Sequence, residues 1–300
     1  MTQADLSITN RDAATGLILM SVAMLVIPIV DAIAKYLSAT IPPVEVAWLR
    51  FVVSSALLVP FVICRDRGFE AFRVPELHLH FLRGAGIAGA TAFFFAALEF
   101  MPIANVAAIF FVEPLILTLF SAVFLGDQIG WRRILAVLVG FGGALLIIRP
   151  SFADLGFVAL LPLGAAVCFA GYMTLTKRLS NAADPWTLQA LANISGFVVL
   201  AGVVMIHGPT RTGLVVPTPA ETAMVIAIGL VAIACHTLII FALRKVSASV
   251  IAPFQYLEII GATLWGYFFF SEFPDTLTWT GIAIIVGSGI FVFYREQRTG

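Results

Sequence analysis

The sequence predicts an all-α integral membrane protein with ten transmembrane helices, arranged as two inverted-topology repeats of five helices. Three observations predict this fold class: an apolar composition, a series of long apolar segments and an internal repeat. Hydrophobic residues make up 61% of the 300-residue chain and charged residues only 11%, whereas soluble domains average about 25% charged residues. The apolar segments are long and continuous, which favours helices over the short alternating strands of an outer-membrane barrel.

The apolar segments each approach the ~20 residues that a helix needs to cross a bilayer. Turn formers or charges separate them, as at residues 41–43 (IPP) and 273–275 (FPD). The predicted spans lie near residues 14–36, 43–63, 79–98, 102–125, 129–148, 155–176, 185–206, 219–242, 247–270 and 275–294. We therefore divide the chain into an N-terminal segment 1–13, a first repeat 14–150, a second repeat 151–294 and a tail 295–300.

The basic residues predict how the chain is oriented. With the N-terminus inside the cell, twelve Lys and Arg residues fall in cytoplasmic segments, against three on the other side, namely Lys35, Arg149 and Arg211. Cytoplasmic loops carry such an excess of Lys and Arg. We therefore expect a multi-pass protein of a bacterial-type inner membrane, with both termini in the cytoplasm.

Several classes of function are excluded or disfavoured by the composition. A net charge of zero and a pI near 6.9 leave no basic face for nucleic acid. Residues 84–89 (GAGIAG) fit a dinucleotide-binding pattern, but that pattern needs a preceding strand. Inside a predicted span, these glycines instead indicate close helix packing. We expect no cofactor and no bound metal.

The two halves of the chain align with each other. Lys35 matches Lys177 within a shared K-x-L-S sequence at an offset of 142, and an offset of 145 pairs Glu113 with Glu258. The same offset of 145 pairs Asp127 with Glu272. Because each repeat has an odd number of spans, the second repeat enters the membrane from the opposite side. Inverted repeats of this kind meet around a central site that opens to either face, so the pattern favours alternating-access transport.

Four motifs resemble those of the drug/metabolite transporter superfamily, specifically its ten-helix EamA-type exporters. They are residues 31–37 (DAIAKYL), 45–50 (EVAWLR), 125–127 (LGD) and 270–272 (FSE). The resemblance covers about residues 14–294 and extends to amino acid exporters of the YddG type. It implies a secondary transporter that exports amino acids, including apolar and aromatic ones. The expected partners are that small-molecule substrate and the lipid bilayer, without an ATPase subunit.

Candidate residues for substrate binding or proton coupling lie within the predicted spans. Glu113 and Glu258 are mid-span, where a charged side chain costs at least about 2.5 kcal/mol and usually faces a cavity or a partner. The alternative is a protonated glutamate bonded to a neighbouring carbonyl. Gln255, Glu258 and Trp265 share one stripe of the ninth span, although a tryptophan such as Trp265 more often packs than binds a ligand. His236 is a further candidate, with a hydrogen bond to a carbonyl as its alternative.

Four charged residues of the first two spans predict gating or structural contacts. Asp31 and Lys35 are four residues apart, so they can pair along one helix face. Glu45 begins the second span, and Arg50 lies about two turns into it. Arg50 therefore needs an acidic partner or a watery cavity.

Other functions are open beside amino acid export. A drug or lipophilic-cation exporter of the same superfamily would also suit an acidic pair. A polytopic membrane enzyme would need a metal motif or a Ser/His arrangement, and none of the four histidines belongs to a His-Glu-x-x-His motif. The sequence therefore favours a transporter over an enzyme.

Overall fold

A computed structural model describes residues 10–65, 68–125, 131–206, 214–246, 251 and 254–299. Within these ranges the chain forms helices and contains no β-strand. The helices of the first half are α1 (Asn10–Val26), α2 (Pro28–Leu37), α3 (Pro43–Arg65), α4 (Leu77–Leu98), α5 (Ile103–Phe110), α6 (Glu113–Leu125) and α7 (Trp131–Leu155). Those of the second half are α8 (Leu161–Leu179), α9 (Pro185–Ile206), α10 (Pro219–Lys245), α11 (Glu258–Phe270) and α12 (Thr276–Thr299). Short 3-10 helices occupy Gly68–Phe72 and Gly156–Leu160.

The described helices account for the predicted spans. Seven segments are long and apolar enough to cross a membrane, by length and composition. They are Ala14–Leu37, Pro43–Arg65, Leu77–Leu98, Ile103–Phe124, Phe152–Leu179, Pro185–Ile206 and Pro219–Lys245. Three shorter apolar helices, Ile134–Ile148, Glu258–Phe270 and Thr276–Phe291, coincide with the other three predicted spans. The all-helical membrane fold is thereby confirmed.

Three of the predicted spans are not single helices. The first is interrupted at Ile27, directly before Pro28, and the fourth at residues 111–112, before Pro114. Each proline lacks the N–H that would bond to the carbonyl four residues earlier, so the helix restarts there. The ninth span has a turn at residues 256–257, after which α11 begins at Glu258. Pro253, whose missing N–H would also interrupt the bonding of this span, lies outside the described residues.

The helices of the two halves pair in a pattern that reflects the internal repeat. The third crossing, α4, packs on the sixth, α8, and correspondingly α10 packs on α1 and α2. The second crossing, α3, packs on the seventh, α9, and the fifth, α7, packs on the tenth, α12. When the two halves are exchanged, the α4–α8 pair becomes the pair of α10 with α1 and α2. The α3–α9 and α7–α12 pairs are each unchanged by the exchange. This is the packing expected of two repeats related by a pseudo-two-fold axis.

Ion pairs between loops and helix ends define two faces of the bundle. We call the face where α1 and α4 begin, and where α3, α8 and α10 end, the N-terminal face. Arg65 pairs with Asp184 at 3.1 Å and Arg178 with Glu76 at 3.3 Å on this face. The opposite face is where α2 and α11 end. The Arg65–Asp184, Arg178–Glu76 and Lys35–Glu272 pairs each join segments at one face, as regular alternation of the crossings requires.

The predicted glycine contacts in α4 are confirmed. A Cβ atom added at Gly84 would lie 2.8 Å from the carbonyl oxygen of Ala192 in α9. One added at Gly86 would lie 3.2 Å from the Cys168 carbonyl oxygen in α8. The small residues therefore let the backbones of α4, α8 and α9 approach closely, as in membrane helix packing generally.

We expect the Gly84→Val substitution to destabilise the bundle by about 1–3 kcal/mol, because the added methyls would overlap α9. Thermal unfolding of the detergent-purified protein measures this loss. Gly202→Val is the matched control, since a Cβ at Gly202 in α9 meets no atom within 4 Å. Equal losses in both variants would contradict the close approach of α4 and α9.

Candidate functional site

A central cavity of about 60 Å³ lies between the two halves of the bundle. Its walls come from α1 to α5 of the first half and from α8, α10 and α11 of the second. Two helix breaks contribute directly, since Ile27 precedes the restart at Pro28 and Glu258 begins α11. The lining residues are Met24, Ile27, Val30, Asp31, Arg50, Ile87, Ala90, Thr91, Phe94, Phe95, Phe110, Phe169, His236 and Glu258.

Besides His236, three ionisable groups line the cavity: the carboxyl groups of Asp31 and Glu258 and the guanidinium of Arg50. All three side chains are buried. A terminal nitrogen of Arg50 donates a hydrogen bond to Thr91 Oγ1 at 2.9 Å, and the guanidinium carbon lies 4.1 Å from the centre of the Phe51 ring. In the part of the chain that the structure describes, no ion pair joins Arg50 to either carboxyl group. Both signs of charge are therefore available to a ligand in the cavity.

The helix breaks place the two carboxyl groups at helix N-termini. Asp31 is in the first turn of α2, and Glu258 is the first residue of α11. The exposed N–H groups at a helix N-terminus carry partial positive charge and favour a carboxylate nearby. Discontinuous helices of this kind commonly form the mid-membrane sites of transporters built from inverted repeats.

Aromatic rings also line the cavity. Phe110 packs edge-on against Phe94 at 5.4 Å between ring centres and against Phe169 at 5.5 Å. Phe169 in turn lies 6.3 Å from the His236 ring. The cavity thus combines charged groups with an apolar aromatic surface, which would orient a ligand that has a polar end and an apolar end.

His236, which the sequence predicts as a candidate, lines this cavity, and so does a residue that the sequence did not suggest. The repeat partner of His236 at the offset of 145 is Thr91, which also lines the cavity. The His236 Nδ1 atom has no hydrogen-bond partner among the described residues, so the expected bond to a carbonyl is not made there. The internal repeat was the signal that would have found Thr91. The phenylalanines of the wall gave no such signal, because apolar residues fill every span.

Three other candidates lie outside the cavity lining. Glu113 is fully buried at the start of α6, and neither carboxyl oxygen has a hydrogen-bond partner among the described residues. Gln255 is buried as well, and its Nε2 is similarly unpartnered. Trp265 is partly buried and lies 5.3 Å from the Phe269 ring. Of the predicted acidic pair and the ninth-span stripe, the structure therefore brings only Glu258 into the cavity.

Lys35 pairs across the bundle and not along its own helix. The expected pairing with Asp31 is wrong, since Lys35 Nζ lies 2.5 Å from Glu272 Oε1 and donates to the Met101 carbonyl oxygen at 3.2 Å. The second Glu272 oxygen accepts a bond from the Ile103 N–H at 3.1 Å. Asp31 lines the central cavity, whereas Lys35 lies in the last turn of α2, within reach of Met101 and Glu272. The Lys35–Glu272 pair thus joins α2, the start of α5 and the end of α11.

This ion pair lies between two cavities. Lys35 lines a vestibule of about 610 Å³ at the opposite face, together with Thr40, Glu221 and Phe270. Asp31, one helical turn away, lines the central cavity. One turn corresponds to about 5–6 Å along the helix. Lys35 therefore lies in the lining of the vestibule and about one helical turn from the lining of the central cavity.

The repeat counterpart of Lys35 makes an equivalent contact at the N-terminal face. Lys177 Nζ donates to the carbonyl oxygens of Leu243 at 2.9 Å and Val246 at 3.3 Å. Val246 and Met101 are themselves repeat partners at the offset of 145. Asp127, the counterpart of Glu272, lies outside the described residues. Glu45 is buried in the first turn of α3 and does not line the central cavity.

Comparison with known proteins gives a family match over nearly the whole chain. The sequence model of the EamA-like transporter family matches residues 14–149 and again residues 156–294. A solved crystal structure superposes with a TM-score of 0.68 over 93% of this chain and 97% of that chain, at 21% sequence identity. That likeness shows the fold.

Several curated relatives are transporters of small molecules. The chain is 28% identical to an S-adenosylmethionine uptake transporter of Rickettsia bellii, over 89% of each protein. It is 26% identical to a riboflavin transporter of Rhizobium johnstonii, over 99% of this chain and 97% of the relative. It is 29% identical to the pseudopaline exporter CntI of Pseudomonas aeruginosa, over 91% of this chain and 93% of the relative. Both uptake and export occur among these names.

Proposed function

Because the chain belongs to the EamA-like transporter family, a family of small-molecule transporters, we propose that it is a secondary transporter of small zwitterions that carry an apolar or aromatic part. Amino acids are the first candidates. The observation that carries this proposal is the central cavity, whose lining combines Asp31, Glu258 and Arg50 with phenylalanine rings. The repeat-related packing of the helices supports alternating access around that cavity.

The cavity chemistry fits a zwitterion better than a simple cation. Asp31 and Glu258 supply acceptors for an ammonium group, while the Arg50 guanidinium supplies paired donors for a carboxylate. The phenylalanine rings offer surface to an apolar side chain. A lipophilic cation, the alternative substrate class, would have to approach Arg50 without an anionic group to offset the like charge. S-adenosylmethionine, named for one relative, is a molecule that carries both an amino and a carboxylate group.

The direction and sidedness of transport are part of the proposal. We place the N-terminal face in the cytoplasm, following the excess of basic residues in its segments. On that orientation the vestibule beside Lys35 opens to the outside. Export follows the resemblance to amino acid exporters.

Counterflow in proteoliposomes tests the proposed function. Liposomes preloaded with unlabelled amino acids are exposed to labelled phenylalanine, methionine or threonine. Transient accumulation above protein-free liposomes is the expected result, because exchange through an alternating site drives label uphill. A flat trace with all three, together with accumulation of a labelled lipophilic cation, would replace the zwitterion by the alternative class. Flux that does not saturate and shows no counterflow would indicate a channel.

The two equivalent glutamates should differ in their effect on transport. We expect Glu258→Gln to lower the initial counterflow rate about tenfold or more, because its carboxyl group lines the cavity. Glu113→Gln is the matched control, because Glu113 has the same repeat position but lies outside the cavity lining. We expect its loss in rate, expressed as a free energy, to be less than half of the loss in Glu258→Gln. Initial rates across a pH series measure both. The reverse order, or normal transport by both variants at every pH, would show that the cavity is not the substrate site.

A further inference from the structure

A second polar cluster lies one helical turn from the central cavity, toward the N-terminal face. It is centred on Arg83 of α4 and Tyr172 of α8. Arg83 precedes the cavity residue Ile87 by four positions, and Tyr172 follows the cavity residue Phe169 by three. Because α4 and α8 run in opposite directions, both displacements point to the same face. The cluster therefore lies between the central cavity and the ends of α8 and α10.

The Arg83 guanidinium is fully buried and only partly hydrogen-bonded. Its Nε donates to Thr176 Oγ1 at 2.7 Å, and Nη1 donates to the Leu188 carbonyl oxygen at 2.7 Å. The guanidinium carbon lies 5.1 Å from the centre of the Tyr172 ring. The remaining nitrogen, Nη2, and the Tyr172 hydroxyl have no hydrogen-bond partner among the described residues. Two buried donors are thus left for a ligand.

No carboxylate compensates the Arg83 charge within the described ranges. At this face Glu76 pairs with Arg178 and Asp184 with Arg65, and both pairs lie at exposed positions. A buried charge without a partner is expensive, and inside a membrane protein it usually marks a ligand or ion pathway. The contrast with the opposite face is clear, because Lys35 there is neutralised by Glu272.

Side-chain contacts connect this cluster with the central cavity. The Tyr172 ring lies 5.7 Å from the His236 ring, edge-on, and 5.5 Å from the Phe169 ring. Both His236 and Phe169 line the cavity. On the other side of Arg83, His80 is fully buried, and its two ring nitrogens are unpartnered among the described residues. Polar groups therefore follow one another from the cavity toward the N-terminal face.

We propose that Arg83 and Tyr172 form a second binding station, which holds the carboxylate of the substrate between the central cavity and the N-terminal face. Nη2 of Arg83 and the Tyr172 hydroxyl donate to that carboxylate, while the bonds to Thr176 and Leu188 hold the guanidinium in place. The station rests on the proposed function for its zwitterionic substrate, and on the unpaired guanidinium for its position.

Paired substrates test the station in proteoliposomes. Arg83→Gln should raise the KM for phenylalanine about ten- to a hundredfold, the value of a charge-assisted hydrogen bond. The KM for phenethylamine, which lacks the carboxylate, should not change. Arg178→Gln, an exposed arginine at the same face, should alter neither. An equal change for both substrates, or no change for either, would overturn the proposal.

Tyr172→Phe is a second variant that tests the station even if Arg83→Gln does not fold. The substitution removes a hydroxyl that has no partner among the described residues, so folding should be unaffected. The KM for phenylalanine should nevertheless rise about threefold or more, as for a lost neutral hydrogen bond. An unchanged KM in this variant would remove Tyr172 from the station.

A binding measurement separates failure of the station from failure of the proposed function. 3-Phenylpropionate keeps the carboxylate and lacks the ammonium group, and it should raise the unfolding temperature of Arg50→Gln protein, which has lost the central guanidinium. The same ligand should not stabilise the Arg50→Gln/Arg83→Gln protein. If phenylalanine is not transported but this difference is seen, the proposed substrate is wrong and the station holds. Equal stabilisation of both proteins would overturn the station.

Discussion

Arg50→Gln is expected to lower transport of a zwitterionic substrate about a hundredfold. The guanidinium is buried in the lining of the central cavity, together with Asp31 and Glu258, and on the proposed function it supplies the paired donors for the substrate carboxylate. Its loss removes charge-assisted hydrogen bonds worth about 1.5–3 kcal/mol each. It also leaves two carboxyl groups facing one cavity without the positive charge between them. Initial counterflow rates with labelled phenylalanine measure the effect.

Two further variants show whether the loss belongs to the site. Arg50→Lys keeps the charge but offers no planar fork, so we expect it to recover only part of the rate. Thr91→Val removes the hydrogen-bond acceptor that holds Arg50 at 2.9 Å and should cause a smaller loss. If Arg50→Gln instead transports phenylalanine at the normal rate while its unfolding temperature falls, Arg50 has a packing function alone.

Much of the fold could be predicted from the sequence because the bilayer restricts the choices. Composition and segment length lead to ten spans, and the repeat of Lys35 at Lys177 and of Glu113 at Glu258 leads to two related halves. The breaks inside the spans are harder to foresee. Pro28 and Pro114 break their helices, whereas Pro60 lies inside the continuous helix α3. A proline permits a break, and the packing of neighbouring helices decides whether it occurs.

The candidate site could be predicted only in part. Sequence spacing places Glu113 and Glu258 at one repeat position, but it does not give the rotation of each half-helix about its own axis. Only Glu258 consequently turns out to line the cavity. Asp31 and Arg50 were expected in gating or structural contacts, and the structure places both in the lining of the cavity. Long-range partners such as Lys35 and Glu272, which are 237 residues apart, leave no local pattern.

Reversing the charge of Lys35 is expected to cost about tenfold in transport rate, and restoring the pair should recover most of it. Lys35→Glu places two carboxylates where an ammonium and a carboxylate now lie 2.5 Å apart, so α2 and the end of α11 would repel each other. The central cavity would then open toward the vestibule and close poorly, which slows any cycle that needs both closed states. Initial counterflow rates measure the loss.

The double variant Lys35→Glu/Glu272→Lys distinguishes a gate from a local packing defect. It restores opposite charges across the same gap, so the rate should return to within about threefold of the wild type, with an interaction energy of about 0.5–3 kcal/mol in the double-mutant cycle. Full recovery is not expected, because Met101 and Ile103 now bond to the lysine and the glutamate in their present positions. Arg178→Glu reverses an exposed pair at the N-terminal face and should change the rate little. Additive losses in the double variant would show that Lys35 and Glu272 act independently, and the closure of the vestibule would then have to depend on the packing of Leu98 and Phe270, which line it.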